Sequence, residues 1–452
     1  MACRVFLEQL IEQLDHLNVK PLNISESVRS QTVAHIVTDS RSIQPGEVFL
    51  ALRGDRFDGH AFVEGAIQQG AIAAIVDSAL PTAAALPLLL VPDTLQAYQT
   101  IGRWWRDRFQ IPVIAVTGSV GKTTTKELIA AVLSTQGQVL KTQANYNNEI
   151  GVPKTLLELN SNHDYAVIEM GMRAVGEIAL LTRIARPDIA VITNVGTAHI
   201  GRLGSEQAIA YAKCELLQEL PPTGIAILNH DNPLLMEAAA RIWQGRTITY
   251  GLEGGDLQGE LINSQTLAVD GMKLPLPLPG RHNALNYLAA LAVAKVLQID
   301  RLLLAQGVTI DLPKGRAQRL ELPNDIVILD ETYNAGLESM TASLHLLAET
   351  PGQRRIAVLG TMKELGDRSP EFHHQVGHLA QALQLDALLI LADEAESQAM
   401  AAGAAPLQAE QFSNPADLVN RLKELVQPGD RLLFKASRAV GLERVVEQFV
   451  QE

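Results

Sequence analysis

The chain has 452 residues, of which 47% are hydrophobic and 19% charged, and its formal net charge is −13. This length predicts two or three domains of ordinary globular composition. The acidic balance disfavours a surface that tracks nucleic-acid phosphates, and no run approaches the roughly 18–20 apolar residues of a membrane span. Cys3 and Cys214 are too few for a disulfide framework, so we expect a cytoplasmic protein that binds small molecules.

The first part of the chain mixes short strands and helices. Acidic residues and an amphipathic period in residues 1–17 predict a helix and argue against a signal peptide. Apolar runs predict strands at 47–52 and 73–78, with a helix at 62–70 between them. A second amphipathic helix, at 93–110, leads into the next unit.

From residue 111 onward, buried strands alternate with helices. Their unbroken apolar runs predict strands covered on both faces, and hence a parallel sheet. These strands are predicted at 112–118, 165–171, 188–196 and 224–231. A long apolar helix at 282–299 closes the unit, after an antiparallel excursion predicted at 252–280 from its Gly, Leu and Pro content.

A third unit repeats the alternation and predicts a smaller doubly wound sheet. Its strands are predicted at 325–334, 354–362, 386–393 and 430–437. The sequence therefore predicts an α/β protein of three domains, with bounds at 1–98, 99–313 and 314–452.

A glycine-rich turn follows the first predicted strand of the second unit. Strand, turn and helix in this order are the context of a phosphate loop, in which backbone N–H groups and the helix N-terminus bind an anion. Lys122 is predicted to neutralise the β- and γ-phosphates of a nucleotide, and Thr123 to hold Mg²⁺. The predicted nucleotide-binding residues are Gly118, Ser119, Val120, Gly121, Lys122, Thr123 and Thr124. Val116 stands where the common pattern has glycine, so a plain glycine turn before a helix is the alternative interpretation.

Three further residues follow the strands or lie in a helix of this unit. Glu169 ends a strand beside the loop, where a metal-binding carboxylate belongs, although capping or salt bridging is the alternative. Because Mg²⁺ prefers oxygen ligands, His199 taken alone is interpreted as a structural loop histidine. Lys213 lies in a predicted amphipathic helix, where composition favours a solvated face, and the adjacent Cys214 is predicted to be part of the core.

Five motifs, in this order along the chain, resemble those of the Mur ligase family: NYNNEIGVP, AVIEMG, AVITNVGTAH, GRHNALN and ILDETYNAGLESM. The resemblance covers nearly the whole chain. It implies an N-terminal uridine-nucleotide-binding domain, a central parallel-sheet P-loop ATPase domain and a C-terminal Rossmann-like ligase domain. The implied activity is ATP-dependent amide ligation, in which a carboxylate is activated as an acyl phosphate and then coupled to an amine.

Two longer segments narrow the resemblance. TDSRSIQPGEVFLALRGDRFDGHAF resembles the UDP-binding unit shared by the family members that make the tripeptide and the pentapeptide. MGMRAVGEIALLTRIARPDIAVITNVGTAHIGRLGS, like YNAGLESM, resembles in particular the family member that joins D-alanyl-D-alanine to UDP-N-acetylmuramoyl-tripeptide in peptidoglycan precursor synthesis. The implied cofactors are ATP and Mg²⁺, and the implied partners are these two small-molecule substrates. Neither nucleic-acid binding nor membrane insertion is implied, and a cytoplasmic monomer is expected.

The resemblance also implies roles at the ATP site. Lys213, in the A-K-x-E match, resembles a lysine that CO₂ carbamylates, and Glu169 and His199 resemble metal ligands near the γ-phosphate. Carbamylation makes chemical sense because it converts a cation into an anion with oxygen ligands for Mg²⁺. Arg316 is implied to reach the γ-phosphate, and Asp330 the ribose region of ATP. The two residues implied to face the adenine are Asn283 and Asn286.

Roles in substrate binding follow in the same way. The residues implied to form the uridine-diphosphate pocket are Asp39, Ser40, Arg41, Asp58, Gly59 and His60. Asn145 and Asn148 are implied to bind the muramoyl side, and Asn334 and Ser437 the incoming dipeptide.

Two departures from the family pattern concern the acceptor pocket. Gly336 and Leu337 replace the usual Asn-Pro, and Ala436 replaces the usual glycine.

Three alternative activities remain open: a sister ligase that adds a single amino acid, a folylpolyglutamate synthetase, and a P-loop ATPase that acts as a switch. The sequence names neither the third residue of the tripeptide, lysine or diaminopimelate, nor a general base for the amine.

Overall fold

The N-terminal part of the chain folds around a small, mostly parallel sheet. The computed structural model describes residues 5–54, 57–78 and 85–451, so Cys3 lies outside the described residues. The strands are β1 (Val5–Phe6), β2 (Lys20–Leu22), β3 (Thr32–Val33), β4 (Ile36–Val37), β5 (Val48–Leu50), β6 (Ala73–Val76) and β7 (Leu88–Leu90), and the helices are α1 (Leu7–Leu14), α2 (Glu26–Arg29), α3 (Val63–Gln68) and α4 (Thr94–Arg106). The sheet order is β2-β7-β6-β5-β4, and β1 pairs separately with β3.

The central part contains a long sheet with helices on both faces. Its strands are β8 (Val113–Thr117), β9 (Val139–Lys141), β10 (Tyr165–Glu169), β11 (Ile189–Ile192), β12 (Ile225–Asn229), β13 (Arg246–Gly251), β14 (Leu257–Asn263), β15 (Thr266–Val269) and β16 (Met272–Pro275). Its helices are α5 (Lys122–Leu133), α6 (Gly151–Leu156), α7 (Glu177–Ala185), α8 (Ile200–Leu203), α9 (Glu206–Gln218), α10 (Pro233–Ile242), α11 (Arg281–Val296) and α12 (Arg301–Leu304).

The order of the central strands places a switch point at β8. The order is β16-β15-β14-β13-β12-β11-β8-β10-β9, and β8 pairs in parallel with both β10 and β11. The chain runs from β8 to β9 on one side and later from β10 to β11 on the other side of β8, and this reversal opens a crevice at the carboxyl ends of the strands, where ligands bind in such folds. The predicted antiparallel excursion is confirmed, because β14, β15 and β16 pair antiparallel in sequence.

The C-terminal part forms a third sheet. Its strands are β17 (Gln318–Leu322), β18 (Ile326–Glu331), β19 (Arg355–Gly360), β20 (Ala387–Leu391), β21 (Ala409–Phe412) and β22 (Arg431–Lys435), and its helices are α13 (Leu337–Glu349), α14 (Ser369–Ala382), α15 (Glu394–Ala404), α16 (Pro415–Leu425) and α17 (Glu443–Val450). The order is β17-β18-β22-β19-β20-β21, parallel except for the β17–β18 pair. The predicted doubly wound unit is thus confirmed.

The second and third sheets pack against each other through their loops. One cluster of buried apolar residues includes Ile200 from the central part and Leu365 from the C-terminal part. The backbone N–H of Gly201 donates to the carbonyl of Glu364 at 3.1 Å. A Cβ on Gly201 would lie 2.5 Å from the backbone nitrogen of Gly366, so the close approach of the two chain segments requires a glycine there.

The three α/β units predicted from the sequence are confirmed, whereas their exact bounds stay a prediction. The predicted N-terminal helix is shorter than residues 1–17, because Val5 and Phe6 pair with β3 and α1 begins only at Leu7. Within the described ranges, no helix is both long and apolar enough to cross a bilayer.

Candidate active site

The loop between β8 and α5 has the backbone shape of an anion cradle. Gly118 has φ +152°, and a Cβ there would lie 1.9 Å from the Oγ1 of Thr193, so only glycine fits. Gly121, at φ +79°, is the N-cap of α5. Val116 lies within β8 and is fully buried, so it belongs to the strand and not to the cradle. The predicted strand–loop–helix context is confirmed, and the Val116 departure leaves the loop unaffected.

Lys122 folds back over this loop. Its Nζ donates to the carbonyl oxygens of Gly118 at 2.8 Å and Ser119 at 3.2 Å. Burial lowers the pKa of Lys122 below its ordinary value, against attraction by Glu169 and together with repulsion by Arg316. Bound phosphate oxygens can replace the two carbonyl partners and restore the charged amine, since an anion nearby favours the ammonium form.

Glu169 lies beside the loop at the end of β10, in register with Val116 of β8. Asn147 donates its side-chain amide to the Oε1 of Glu169 at 2.7 Å. The Oε2 is buried without a hydrogen-bond partner among the described residues and lies 3.8 Å from the Nζ of Lys126. A buried carboxylate oxygen without a donor is costly unless a ligand or cation completes it.

Lys213 is buried inside α9, which corrects the expectation of a solvated helix face. Only 1% of the residue is exposed, and its neighbours Ala212, Cys214 and Glu215 are buried as well. The apolar periodicity was misleading, because α9 packs against α7 and α10 and its remaining side, with Lys213, borders the cavity described below. Burial, followed by repulsion from Lys122, lowers the pKa of Lys213 well below that of a free lysine, against attraction by Glu338. The predicted core position of Cys214 is confirmed.

The loop that follows β11 supports the phosphate loop on one side and meets the C-terminal part on the other. The Oδ1 of Asn194 accepts from the backbone N–H of Val120 at 3.0 Å. His199 pairs through its Nδ1 with the Oε2 of Glu364 at 2.5 Å, and the Glu364 carboxyl has a lowered pKa mainly because of this hydrogen bond. His199 therefore lies at the boundary between the central and C-terminal sheets.

Two guanidinium groups of the C-terminal part contact one aromatic ring. The Arg316 guanidinium lies 3.9 Å, and that of Arg438 5.1 Å, from the centre of the Tyr333 ring. The Nε of Arg316 is buried without a partner in the described part of the chain. Such stacked cations keep their charge available for an anion.

The predicted acceptor residues lie at the carboxyl ends of neighbouring strands of the third sheet. Asn334 follows β18, and its carbonyl accepts from the Nζ of Lys435 at 3.1 Å. Ser437 follows β22, and its Oγ accepts from the backbone N–H of Lys363 at 2.9 Å. Gly336 adopts an extended φ of −150° as the N-cap of α13, so this departure from the family pattern imposes no strained turn.

The predicted adenine-facing residues pack onto the helix of the phosphate loop. The Oδ1 of Asn286 accepts from the Oγ1 of Thr125 at 3.2 Å, and Asn283 donates to the carbonyl of Pro279 at 2.8 Å. Asp330 is buried near the end of β18, where its Oδ1 accepts from the backbone N–H and hydroxyl of Thr332 at 3.0 and 2.6 Å.

The predicted uridine-pocket residues form two separate turns in the N-terminal part. Asp39 accepts from the Nη2 of Arg41 at 2.6 Å, and this pairing lowers the pKa of the carboxyl. His60 contacts the Oδ1 of Asp58 through its Nδ1 at 2.6 Å and accepts from the backbone N–H of Asp77 at 3.1 Å. Both ring nitrogens of His60 are thus engaged within the fold.

One cavity of about 970 Å³ joins most of these groups. It lies between the phosphate loop, the loops after β10 and β11, and the carboxyl ends of the third sheet. The predicted site residues that line it are Ser119, Val120, Gly121, Lys122, Thr123, Thr124, Asn145, Asn148, Glu169, His199, Lys213, Asn283, Asn286, Arg316, Asn334 and Ser437. The predicted residues outside its lining are Gly118, Asp330, Asp39, Ser40, Arg41, Asp58, Gly59 and His60.

Four contact residues of the site were missed by sequence reasoning: Lys126, Asn147, Glu338 and Glu364. For Lys126 a signal existed, since it follows Lys122 by four residues and so lies on the same side of α5. Asn147 lies inside a motif that was recognised, but nothing distinguishes it from its neighbouring asparagines. Glu338 and Glu364 contact the central part only after the two sheets have packed, so no local pattern predicts them.

Three family descriptions match successive parts of this chain. They are "Mur ligase family, catalytic domain" at residues 32–101, "Mur ligase middle domain" at 116–294 and "Mur ligase, glutamate ligase domain" at 315–438. A UDP-N-acetylmuramoyl-tripeptide--D-alanyl-D-alanine ligase of Synechocystis sp. is 58% identical over 450 residues, which cover 99% of this chain and 97% of the relative. The chain therefore belongs to the Mur ligase family.

Further relatives share the whole architecture. A UDP-N-acetylmuramoyl-tripeptide--D-alanyl-D-alanine ligase of Escherichia coli is 37% identical, covering 92% of this chain and 93% of the relative. A crystal structure of MurF from Acinetobacter baumannii superposes with a TM-score of 0.89 at 33% identity, over 100% of both chains. MurF from Thermotoga maritima, solved in complex with ADP, superposes with a TM-score of 0.83 at 33% identity, over 92% of this chain and 97% of that chain.

Proposed function

We propose that this protein joins D-alanyl-D-alanine to the terminal carboxylate of UDP-N-acetylmuramoyl-tripeptide, with hydrolysis of ATP to ADP and phosphate, in peptidoglycan precursor synthesis. The observation that carries the proposal is a single cavity lined both by a phosphate loop and by the strand ends of the third sheet. A ligase needs this arrangement, because the activated carboxylate and the incoming amine must meet. The names of the full-length relatives support this choice of substrates.

The first step joins two anions, the tripeptide carboxylate and the γ-phosphate. Lys122 and Arg316 both line the cavity and can offset the repulsion as charge develops on the transferring phosphoryl group. The carboxylate oxygen displaces ADP from the γ-phosphorus, and the product is an acyl phosphate. The deprotonated amine of the dipeptide then attacks the acyl carbon, and phosphate leaves as the nitrogen loses a second proton. Because water would hydrolyse the acyl phosphate, packing of the third sheet over the loop serves to exclude it.

The residues around the phosphate loop fit magnesium. Glu169 offers a buried carboxylate oxygen that has no hydrogen-bond donor among the described residues, and the buried Thr123 lies in the first turn of α5. No group of three or more His, Cys, Asp or Glu side chains in the described ranges is arranged as a complete metal site. Mg²⁺ commonly takes its remaining ligands from nucleotide phosphates and water. When bound, the ion neutralises charge on the nucleotide phosphates, and Thr123, Glu169 and His199 would hold it.

Lys213 is proposed to carry a carbamate. The reaction with CO₂ requires an uncharged amine, and burial lowers the pKa of Lys213 in that direction. The lysine also has no hydrogen-bond or ion-pair partner among the residues described, so its amine is free to react. The carbamate would place two anionic oxygens beside Lys122, where they relieve the repulsion between the two amines and can bind the cation.

The remaining assignments extend this proposal. Asn283, Asn286 and Asp330 would contact the nucleoside of ATP, and Asn334 and Ser437 the dipeptide. The uridine-nucleotide substrate would be bound by Asp39, Ser40, Arg41, Asp58, Gly59, His60, Asn145 and Asn148. We further propose domains at 1–98, 99–313 and 314–452, and a cytoplasmic monomer.

Phosphate release tests the proposed function directly. The enzyme is incubated with ATP, Mg²⁺ and UDP-N-acetylmuramoyl-tripeptide, and with either D-alanyl-D-alanine or single amino acids. Release that depends on the dipeptide is the expected result. Release that depends on a single amino acid would assign a sister ligase, and release with ATP alone would assign an ATPase switch.

A further inference from the structure

Glu338, at the start of α13, contacts the central part of the chain across the cavity. Its Oε1 accepts from the backbone N–H of Thr197 at 2.5 Å, in the loop that follows β11. A Cβ on the preceding Gly196 would lie 2.3 Å from the same Oε1, so the carboxylate packs directly on this backbone. Through this contact a residue of the C-terminal part lies near the phosphate loop.

The second oxygen of Glu338 has no hydrogen-bond partner in the part of the chain that the structure describes. Among the described residues, seven buried side-chain nitrogen or oxygen atoms lack a hydrogen bond, and the three that belong to cavity-lining residues are in Glu169, Arg316 and Glu338. Buried polar atoms are normally paired, so unpaired atoms that gather around one cavity indicate groups that ligands complete. Glu169 and Arg316 already have proposed ligands, the cation and the γ-phosphate. The Oε2 of Glu338 has none.

The other cavity-lining acids of the third sheet are already paired with cations. Glu331 lies 3.7 Å from the Nζ of Lys435, and Glu364 pairs with His199. Glu338 forms no ion pair within 4 Å in the described residues. It is therefore the acid on the acceptor side of the cavity whose charge remains available to a ligand.

The surroundings of Glu338 match an incoming amine. Lys122 and Arg316 make the centre of the cavity cationic, which suits phosphate groups but repels a substrate ammonium. Glu338 lies within electrostatic reach of Lys213, and Lys213 lies within reach of Lys122. The Glu338 carboxylate, as a hydrogen-bond acceptor with negative charge, can hold an ammonium group close to the place where the acyl phosphate forms.

We infer that Glu338 binds the α-ammonium group of the incoming dipeptide through its free carboxylate oxygen and so places this nitrogen beside the acyl phosphate, which it attacks once it has lost one proton to water. The inference rests on the proposed function and adds the residue that selects an acceptor with a free amine. The ligand chemistry is a primary ammonium on a short peptide, since the hydrogen-bond donor must reach a carboxylate buried between two chain segments.

Glu338→Gln separates this role from packing. The glutamine retains an acceptor oxygen for the N–H of Thr197 but loses the charge. We expect its KM for D-alanyl-D-alanine to rise by about tenfold to a hundredfold, the range for loss of a hydrogen bond to a charged group, with the KM values for ATP and the uridine nucleotide unchanged. Glu349→Gln is the matched control, because Glu349 is exposed at the far end of the same helix and does not line the cavity.

Propionyl-D-alanine, which is the dipeptide without its amine, gives an independent readout as a competitive inhibitor. The wild-type enzyme is expected to bind the dipeptide more tightly than this analogue, and Glu338→Gln is expected to remove most of that preference. An unchanged preference, or equal rises in all three KM values, would assign Glu338 to packing alone and overturn the inference. If the wild-type enzyme itself does not respond to the dipeptide, the proposed function fails instead, and the two failures are thus distinguishable.

Discussion

The Nζ of Lys126 lies 3.8 Å from the Oε2 of Glu169, behind the phosphate loop and almost fully buried. The same amine donates to the carbonyl of Thr142 at 2.6 Å and lies 3.0 Å from the Oε1 of Glu127. Thr142 in turn accepts from the backbone N–H of Glu169 through its Oγ1 at 2.9 Å. Glu169 is thus fixed from behind by groups that touch no part of the cavity.

Lys126→Met tests this support. Removing the amine leaves Glu169 as a buried carboxylate without its ion-pair partner, whereas Glu127 keeps Lys141, so the unfolding free energy should fall by about 3–5 kcal/mol. Urea denaturation measures this unfolding free energy. Titration with Mn²⁺ in the presence of ADP should show that Lys126→Met binds the cation more weakly than the wild type. Lys273→Met is the control at an exposed strand position. Equal stability of the two variants would contradict a supporting role for Lys126.

Lys122→Ala removes the amine that lies over the phosphate loop. We expect phosphate release to fall by a factor on the order of 10²–10³ or more, because the developing charge on the γ-phosphate loses its nearest cation. Thermal melting should stay close to that of the wild type, since the Nζ contacts only carbonyls of its own loop in the absence of nucleotide. Retained turnover would disprove the phosphate-loop role.

Lys213→Ala should inactivate the enzyme, and acetate should restore part of the activity by supplying the missing carboxylate oxygens. The modification itself is checked with ¹³CO₂, which should give a carbamate signal in the NMR spectrum of the wild type and none in the variant. A fully active preparation in which Lys213 is unmodified would rule out the carbamate.

His282 lines the cavity, and its titration should make the unfolding free energy of the protein depend on pH. Burial, reinforced by repulsion from Lys435, lowers its pKa to about 4. Between pH 6.5 and pH 4 the unfolded chain therefore binds more protons at this residue than the folded protein does, so stability falls as the pH falls through this window.

Compared with His282→Asn, the ligand-free wild type should lose on the order of 2–3 kcal/mol of unfolding free energy between pH 7.5 and pH 4.5. Urea denaturation at the two pH values gives the difference, in which the titration of other groups cancels. His35→Gln, at an exposed position, serves as the control and should follow the wild type. Parallel curves for the wild type and His282→Asn would show that His282 titrates alike in both states.

Local patterns predicted the strands and the phosphate loop. The apolar runs at 112–118 and 165–171 correspond to β8 and β10, because strands covered on both faces must be apolar throughout. The loop after β8 was predictable because its backbone path demands glycine at 118 and 121. Helix periodicity was a weaker guide, as Lys213 shows: the pattern cannot tell a solvated face from one that borders a buried cavity.

The sequence by itself determined the three α/β units, the parallel orientation of the central strands and the place of the nucleotide loop. Each of these depends on residues close together in the chain, through side-chain period, strand length and backbone conformation. The tertiary structure alone decided the burial of Lys213, the pairing of His199 with Glu364 and the contact of Glu338 with Thr197. The last two contacts join segments more than 100 residues apart, so they exist only once the second and third sheets have packed.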